Sequence, residues 1–166
     1  MLSANSDASQ RSRGSSKKNF LTLISKGPSL SYYEIGPDQL AAMEKFAMTN
    51  NDPIVMVNLM KVREHAEYGP DSLADPCSGS EAMDRYRHGS AEVRKQSGAK
   101  IVWRGEPTLL PIAPKDEEWN SVVLVSYPNT AAYLKMRSTP EYQAARLHRQ
   151  AGLDDSRLLM CIPDIE

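Results

Sequence analysis

"AKIVWRGEPTLLPIAPKDEEWNSVVLVSYP", residues 99–128, decides the fold. An apolar run ends near Gly105-Glu106-Pro107, a polar turn follows over residues 113–118, and a second β-branched run extends from Trp119 to Tyr127. No helical periodicity separates the two runs, so they read as consecutive strands paired antiparallel.

Upstream, residues 80–98 place Ala82, Met83, Tyr86, Ser90, Val93 and Ser97 along one helical stripe, with Ser80 as the N-cap and Gly98 as the stop. Before that helix come a Gly- and Pro-punctuated loop (63–79) and the buried strand "PIVMVNLMKV" (53–62). An extra helix over residues 36–50 precedes the strand: Pro37 suits its first turn, and Leu40, Met43, Phe46 and Ala47 recur at helical spacing. Downstream, residues 129–153 are helical on both sides of Pro140, with Asn129 and Thr139 placed to start the two parts and Gly152-Leu153 to end the second. "RLLMCIP" (157–163) closes the chain as a strand. The short apolar run Phe20–Ile24 stays unassigned.

The order β-α-β-β-α-β, behind an extra N-terminal helix, is the ferredoxin-like α+β arrangement: an antiparallel sheet with helices on one face. A second copy of the same sheet is the simplest cover for its other face, so a homodimer is expected.

The 166 residues suffice for one domain, and the formal charge of −1 is spread along the chain rather than gathered into a basic groove. Nucleic acid and membrane surfaces are therefore not expected partners; a small molecule is. Residues 1–18 read as a disordered tail and 19–166 as the domain. Neither a signal-peptide core nor an apolar run of about 20 residues occurs. Two cysteines without CxxC spacing fit a reducing cytoplasm, and Cys161 reads as a small core residue.

The segments "PIVMVNLMKVRE", "AKIVWRGEP", "EEWNSVVLVSYPNTAAYLKM" and "PEYQAARLHRQAGLDDSRLL", in this order, resemble the domain-of-unknown-function family thirteen-thirty within the dimeric α+β barrel superfamily. The likeness spans about residues 37–163 and implies the same fold and a dimer. The wider superfamily is similar in fold to muconolactone isomerases, antibiotic-biosynthesis monooxygenases, polyketide cyclases and haem-degrading enzymes, among which fold does not choose.

Several polar residues fall where a pocket between sheet and helices would form. Asn58 interrupts an apolar strand, and its amide must bond neighbouring backbone or orient a ligand carbonyl. Tyr86 on its apolar stripe is either core or a general acid. Trp103 and Arg104 occupy opposite sheet faces, and an inward Arg104 needs an anion, either Glu106 or a substrate carboxylate. Trp119 and Tyr127 share a face with Val123 and Val125 as core or pocket wall. On the last helix Ala144, Leu147 and Ala151 read as the buried stripe, with Tyr142, Arg146 and Arg149 opposite and His148 at the edge. His148 there is either a helix-end residue stabilised when protonated or a proton-transfer group.

The reading is a cofactor-independent acid/base enzyme, an isomerase, cyclase or relative, acting on a small apolar carbonyl or aromatic compound. Tyr86, Arg104 and His148 are its catalytic candidates, and Asn58, Trp103, Trp119 and Arg149 its substrate-binding ones. The alternative is a non-catalytic binding or structural homodimer. His65, His88 and His148 lack metal-ligand spacing, and no phosphate-binding glycine loop occurs, so neither metal nor cofactor is expected.

Overall fold

The structure, a computed structural model, describes residues 32–70 and 72–164. The expected tail and the Phe20–Ile24 run lie outside them. The elements are α1 (Pro37–Thr49), β1 (Ile54–Val62), α2 (Gly79–Gly89), α3 (Ala91–Gln96), β2 (Lys100–Gly105), β3 (Ser121–Tyr127), α4 (Thr130–Arg137), α5 (Pro140–Gly152) and β4 (Leu153–Cys161). The sheet runs β2-β3-β1-β4 with every neighbouring pair antiparallel, which is the ferredoxin-like topology expected from the element order.

Register fixes what each face carries, because residues directly opposite one another share a face. Arg104, Val123, Asn58 and Leu158 form one row across all four strands, and Trp103, Leu124, Val57 and Leu159 form the adjacent row on the other side. The first row faces the helices. There Ile54, Met56, Val123 and Val125 from the sheet pack with Met83, Tyr133, Met136 and Tyr142 from the helices. Complete burial of a residue such as Ile54 or Leu153 is worth about 1.5–3 kcal/mol. No described helix covers the second row, and Trp103 (53% accessible) and Leu159 (48%) lie open on it.

Four local readings are corrected. The helix expected over 80–98 is two, α2 and α3, joined at the buried Ser90, whose hydroxyl donates back to the Tyr86 carbonyl at 2.7 Å. Its N-cap is Ser78 rather than Ser80. Ser78 Oγ accepts from the Glu81 amide and the Glu81 carboxylate accepts from the Ser78 amide, a reciprocal capping box. Gly152 ends α5 where expected, but not as a left-handed stop, since the helix passes straight into the extended Leu153 and β4 begins there. A glycine is required because a Cβ on Gly152 would come within 2.8 Å of the Gly79 carbonyl oxygen, where α2 and α5 meet. Cys161 is exposed on the bare sheet face opposite Val55, not in the core. Gly98, by contrast, ends α3 with φ of 77°, as its position predicts.

Helix α5 also turns a different face inward. Tyr142, Ala145, Ala151 and Gly152 are buried while Ala144 and Leu147 are exposed. The small residues decide it, because Ala145 packs against Gly89 and Gly152 against Gly79, letting the helix backbones approach. This rotation brings Tyr142 and Arg149 toward the sheet.

Candidate functional site

Between the inner sheet face and the helices lies a cavity of about 440 Å3. Its floor is apolar, built from Met56, Met60, Val123, Val125 and Met160. Asn58 interrupts that floor: its Nδ2 donates to the Met56 and Val123 carbonyls, both at 3.3 Å, and its Oδ1 has no donor among the described residues. The backbone bonds hold the amide in place and leave one acceptor for a ligand.

Four tyrosines form a wall. Tyr86 and Tyr142 meet edge-on with centroids 6.2 Å apart and hydroxyls 3.4 Å apart, and Tyr127 meets Tyr133 edge-on at 5.2 Å. Local signals place them: Thr139 and Asn129 cap α5 and α4, which sets the phase at which Tyr142 and Tyr133 reach the interior. Burial pushes the Tyr127, Tyr133 and Tyr142 phenols up, with the neighbouring phenols adding to it, so they stay protonated and act as hydrogen-bond donors near neutral pH.

A strap N-terminal to α1, Tyr32 to Gly36, forms another side of the cavity. Glu34 Oε2 accepts from Arg146 at 2.6 Å and from Arg137 at 3.2 Å; Arg149 donates to the Tyr33 carbonyl at 2.7 Å; Ser156 donates to the Tyr32 carbonyl at 2.5 Å. The Asp155 carboxylate accepts from the amides of Tyr32 and Ser156 and from Arg157. Burial alone would raise that carboxyl, but these donors outweigh it and hold it below the ordinary range.

Of the residues singled out in the sequence, Asn58, Tyr86, Arg104 and Arg149 line the cavity together. Arg104 forms no pair with Glu106 and has no partner among the described residues, so the Glu106 pairing is not made. Trp103 lies on the opposite sheet face, its ring packed over Gly105, and is not a cavity wall. Trp119 is buried but does not line the cavity; its indole donates to Glu117 at 2.6 Å.

His148 sits elsewhere: its Nδ1 is 2.8 Å from the Tyr68 hydroxyl, in the loop between β1 and α2, and no part of it lines the cavity. Cys77 and Arg85 also approach that hydroxyl. Burial, then the Arg85 charge, holds the His148 imidazole below its ordinary value. Among the described residues no three His, Cys, Asp or Glu side chains gather as metal ligands, and no helix is long and apolar enough to cross a membrane.

The sequence reading missed Glu34, Arg94, Arg137 and Tyr142. The signal for Tyr142 was present in the small residues of α5 at helical spacing from it; for Glu34 there was none, because its partners lie more than 100 residues away.

Residues 77–162 match the model of a family described as Domain of unknown function (DUF1330). The chain belongs to that family. The solved structure of RPA0582, a protein of unknown function from Rhodopseudomonas palustris, is 34% identical, with a TM-score of 0.75, covering 82% of this chain and 99% of its own. Its methylated form gives 34% identity and a TM-score of 0.76 over 81% of this chain and 96% of that one. A cofactor-independent oxygenase from Streptomyces nogalater is 13% identical, with a TM-score of 0.44, over 69% of this chain and 96% of its own, a distance at which none of its activity transfers. No curated protein matches this DUF1330 chain.

Proposed function

We propose that the cavity binds a small apolar carbonyl or aromatic compound and moves protons on it without a cofactor. The observation that carries this reading is the convergence, on one apolar cavity of about 440 Å3, of protonated phenols, an amide acceptor and a carboxylate. That size suits a small organic ligand. In this reading Tyr86, backed by Tyr142, donates to the carbonyl oxygen as charge develops there, Asn58 and Arg104 orient the substrate, and Glu34 is the proton acceptor. Glu34 Oε1 has no donor among the described residues, while Oε2 is fixed by two arginines. Asn58 Oδ1, Glu34 Oε1 and the Arg104 guanidinium keep no partner among the described residues, which disfavours a purely structural role.

Two copies meet, in the same proposal, through the bare row of Trp103, Leu124, Val57 and Leu159. Cys77 and Cys161 are both free, which supports a reducing cytoplasm.

The test is a screen of small carbonyl and phenolic compounds, followed by NMR of solvent deuterium exchange into whatever binds. Tyr86→Phe and Glu34→Gln are each expected to slow exchange about 100-fold or more, Arg104→Gln to weaken binding, and His148→Gln to leave both unchanged. Exchange that is unaltered in Tyr86→Phe and Glu34→Gln would remove the catalytic reading and leave a binding protein.

A further inference from the structure

The cavity is unbalanced in charge. Among the described residues six arginines line it, Arg87, Arg94, Arg104, Arg137, Arg149 and Arg157, against one lining carboxylate, Glu34. Ion pairs account for three of the six: Arg87 with Asp84, Arg137 with Glu34, and Arg157 with Asp155. Glu34 is in addition shared with Arg146, whose buried Nε has no acceptor among the described residues. Arg94, Arg104 and Arg149 have no acidic partner among the described residues.

Arg94 and Arg149 are held by neutral oxygens. Arg94 donates to the carbonyls of Ser90 at 3.3 Å and Arg87 at 2.9 Å, with its guanidinium 6.0 Å from the Tyr86 ring centroid. Arg149 donates to the Tyr33 carbonyl and, at 3.5 Å, to the Ser156 hydroxyl. Such bonds fix where a guanidinium points without neutralising it, and a half-buried cation keeps a strong preference for a counter-charge. The apolar part of the surrounding surface, methionine, valine and the edges of two tyrosine pairs, favours a ligand with a flat apolar body over a small, strongly hydrated anion.

The geometry points to a flat carboxylate as the ligand: an aromatic or similarly conjugated acid whose carboxylate meets Arg94, Arg104 or Arg149 while its ring lies against the tyrosines. This rests on the reading of the cavity as a small-molecule site and names the charge its ligand brings. The protonated phenols add donors for the same carboxylate oxygens.

The test is calorimetric titration of the full chain at low salt with benzoate, cinnamate and 2-naphthoate, each against its own carboxamide, and with inorganic phosphate. At least one acid is expected to bind about tenfold or more tightly than its amide, the scale of a charge-assisted hydrogen bond. The gap should narrow with added salt. It should fall to about twofold or less in Arg94→Gln or Arg149→Gln and persist in Arg85→Gln, which lies outside the cavity. Near-ultraviolet circular dichroism establishes that each variant is folded, and Arg104→Gln, on an exposed edge strand, serves if the more buried variants are not. Amides that bind as tightly as their acids would overturn the anionic assignment and leave the small-molecule cavity standing. Phosphate that binds as tightly as the acids would overturn the aromatic part. A gap unaffected by any of the three substitutions would overturn the arginine assignment, and binding by none of the compounds would overturn both readings.

Discussion

His148 shows how a single side chain is set by partners far away in sequence. Its imidazole is held below the ordinary value of 6.5 by burial and by Arg85, so the unfolded chain takes up the proton first as pH falls. Between 6.5 and the depressed folded value the unfolded state binds more protons, so the stability contribution is complete above that window and is lost as pH drops through it. Wild-type melting temperature is therefore expected to fall more steeply than that of His148→Gln between about pH 7 and about pH 5, followed by thermal denaturation; parallel curves would contradict the assignment. The sign is opposite to that of a charged histidine stabilising a helix end, which is what the position on α5 alone implies. The helix edge was legible in the sequence. The Tyr68 hydroxyl, contributed by a loop residue 80 positions away, was not. Asn58 is the contrasting case, since an amide in the middle of an apolar strand announces a buried polar group wherever its partners lie.

At the level of elements, α2 and α5 are clamped by glycines. A Cβ on Gly152 would reach 2.8 Å from the Gly79 carbonyl oxygen and 3.2 Å from Ala82 Cβ, and one on Gly79 would overlap the Arg63 carbonyl. Gly152→Ala is expected to cost about 1–3 kcal/mol in urea denaturation, the range for overpacking. Ser78→Ala should cost about 1 kcal/mol through loss of the cap. Gly69→Ala, with nothing within 4 Å of the added carbon, serves as the neutral comparison. Element existence was readable almost throughout, because the apolar runs of residues 53–62 and 119–127 are strong and Pro37 marks the start of α1. The inward face of α5 was not, because Leu147, the large aliphatic residue on the helix, faces out while the helix buries its small residues. A spacing of Ala145 and Gly152 against Gly89 and Gly79 identifies that face once the partner helix is known.

At the level of the molecule, the row of Trp103, Leu124, Val57 and Leu159 leaves an apolar strip that water covers in a monomer. Sedimentation at micromolar concentration is expected to give a dimer for wild type and a folded monomer for Leu124→Lys; a monomeric wild type would refute the interface. The topology was legible from element order alone, since two consecutive strands in mid-chain leave few ways to close the sheet. The cavity was not, because its three arginines without an acidic partner and its lining carboxylate come from α3, β2, α5 and the strap, four segments whose proximity exists only in the fold. The strap gives this assembly an unusual property. Glu34 acts as a tethered counter-ion: it belongs to the same chain and meets Arg137 and Arg146 without any cost of association, so a free anion competing for those two must displace it. A dissolved acid of the proposed kind is thereby directed away from Arg137 and toward the arginines without an acidic partner, and the resident carboxylate decides where a visiting one settles.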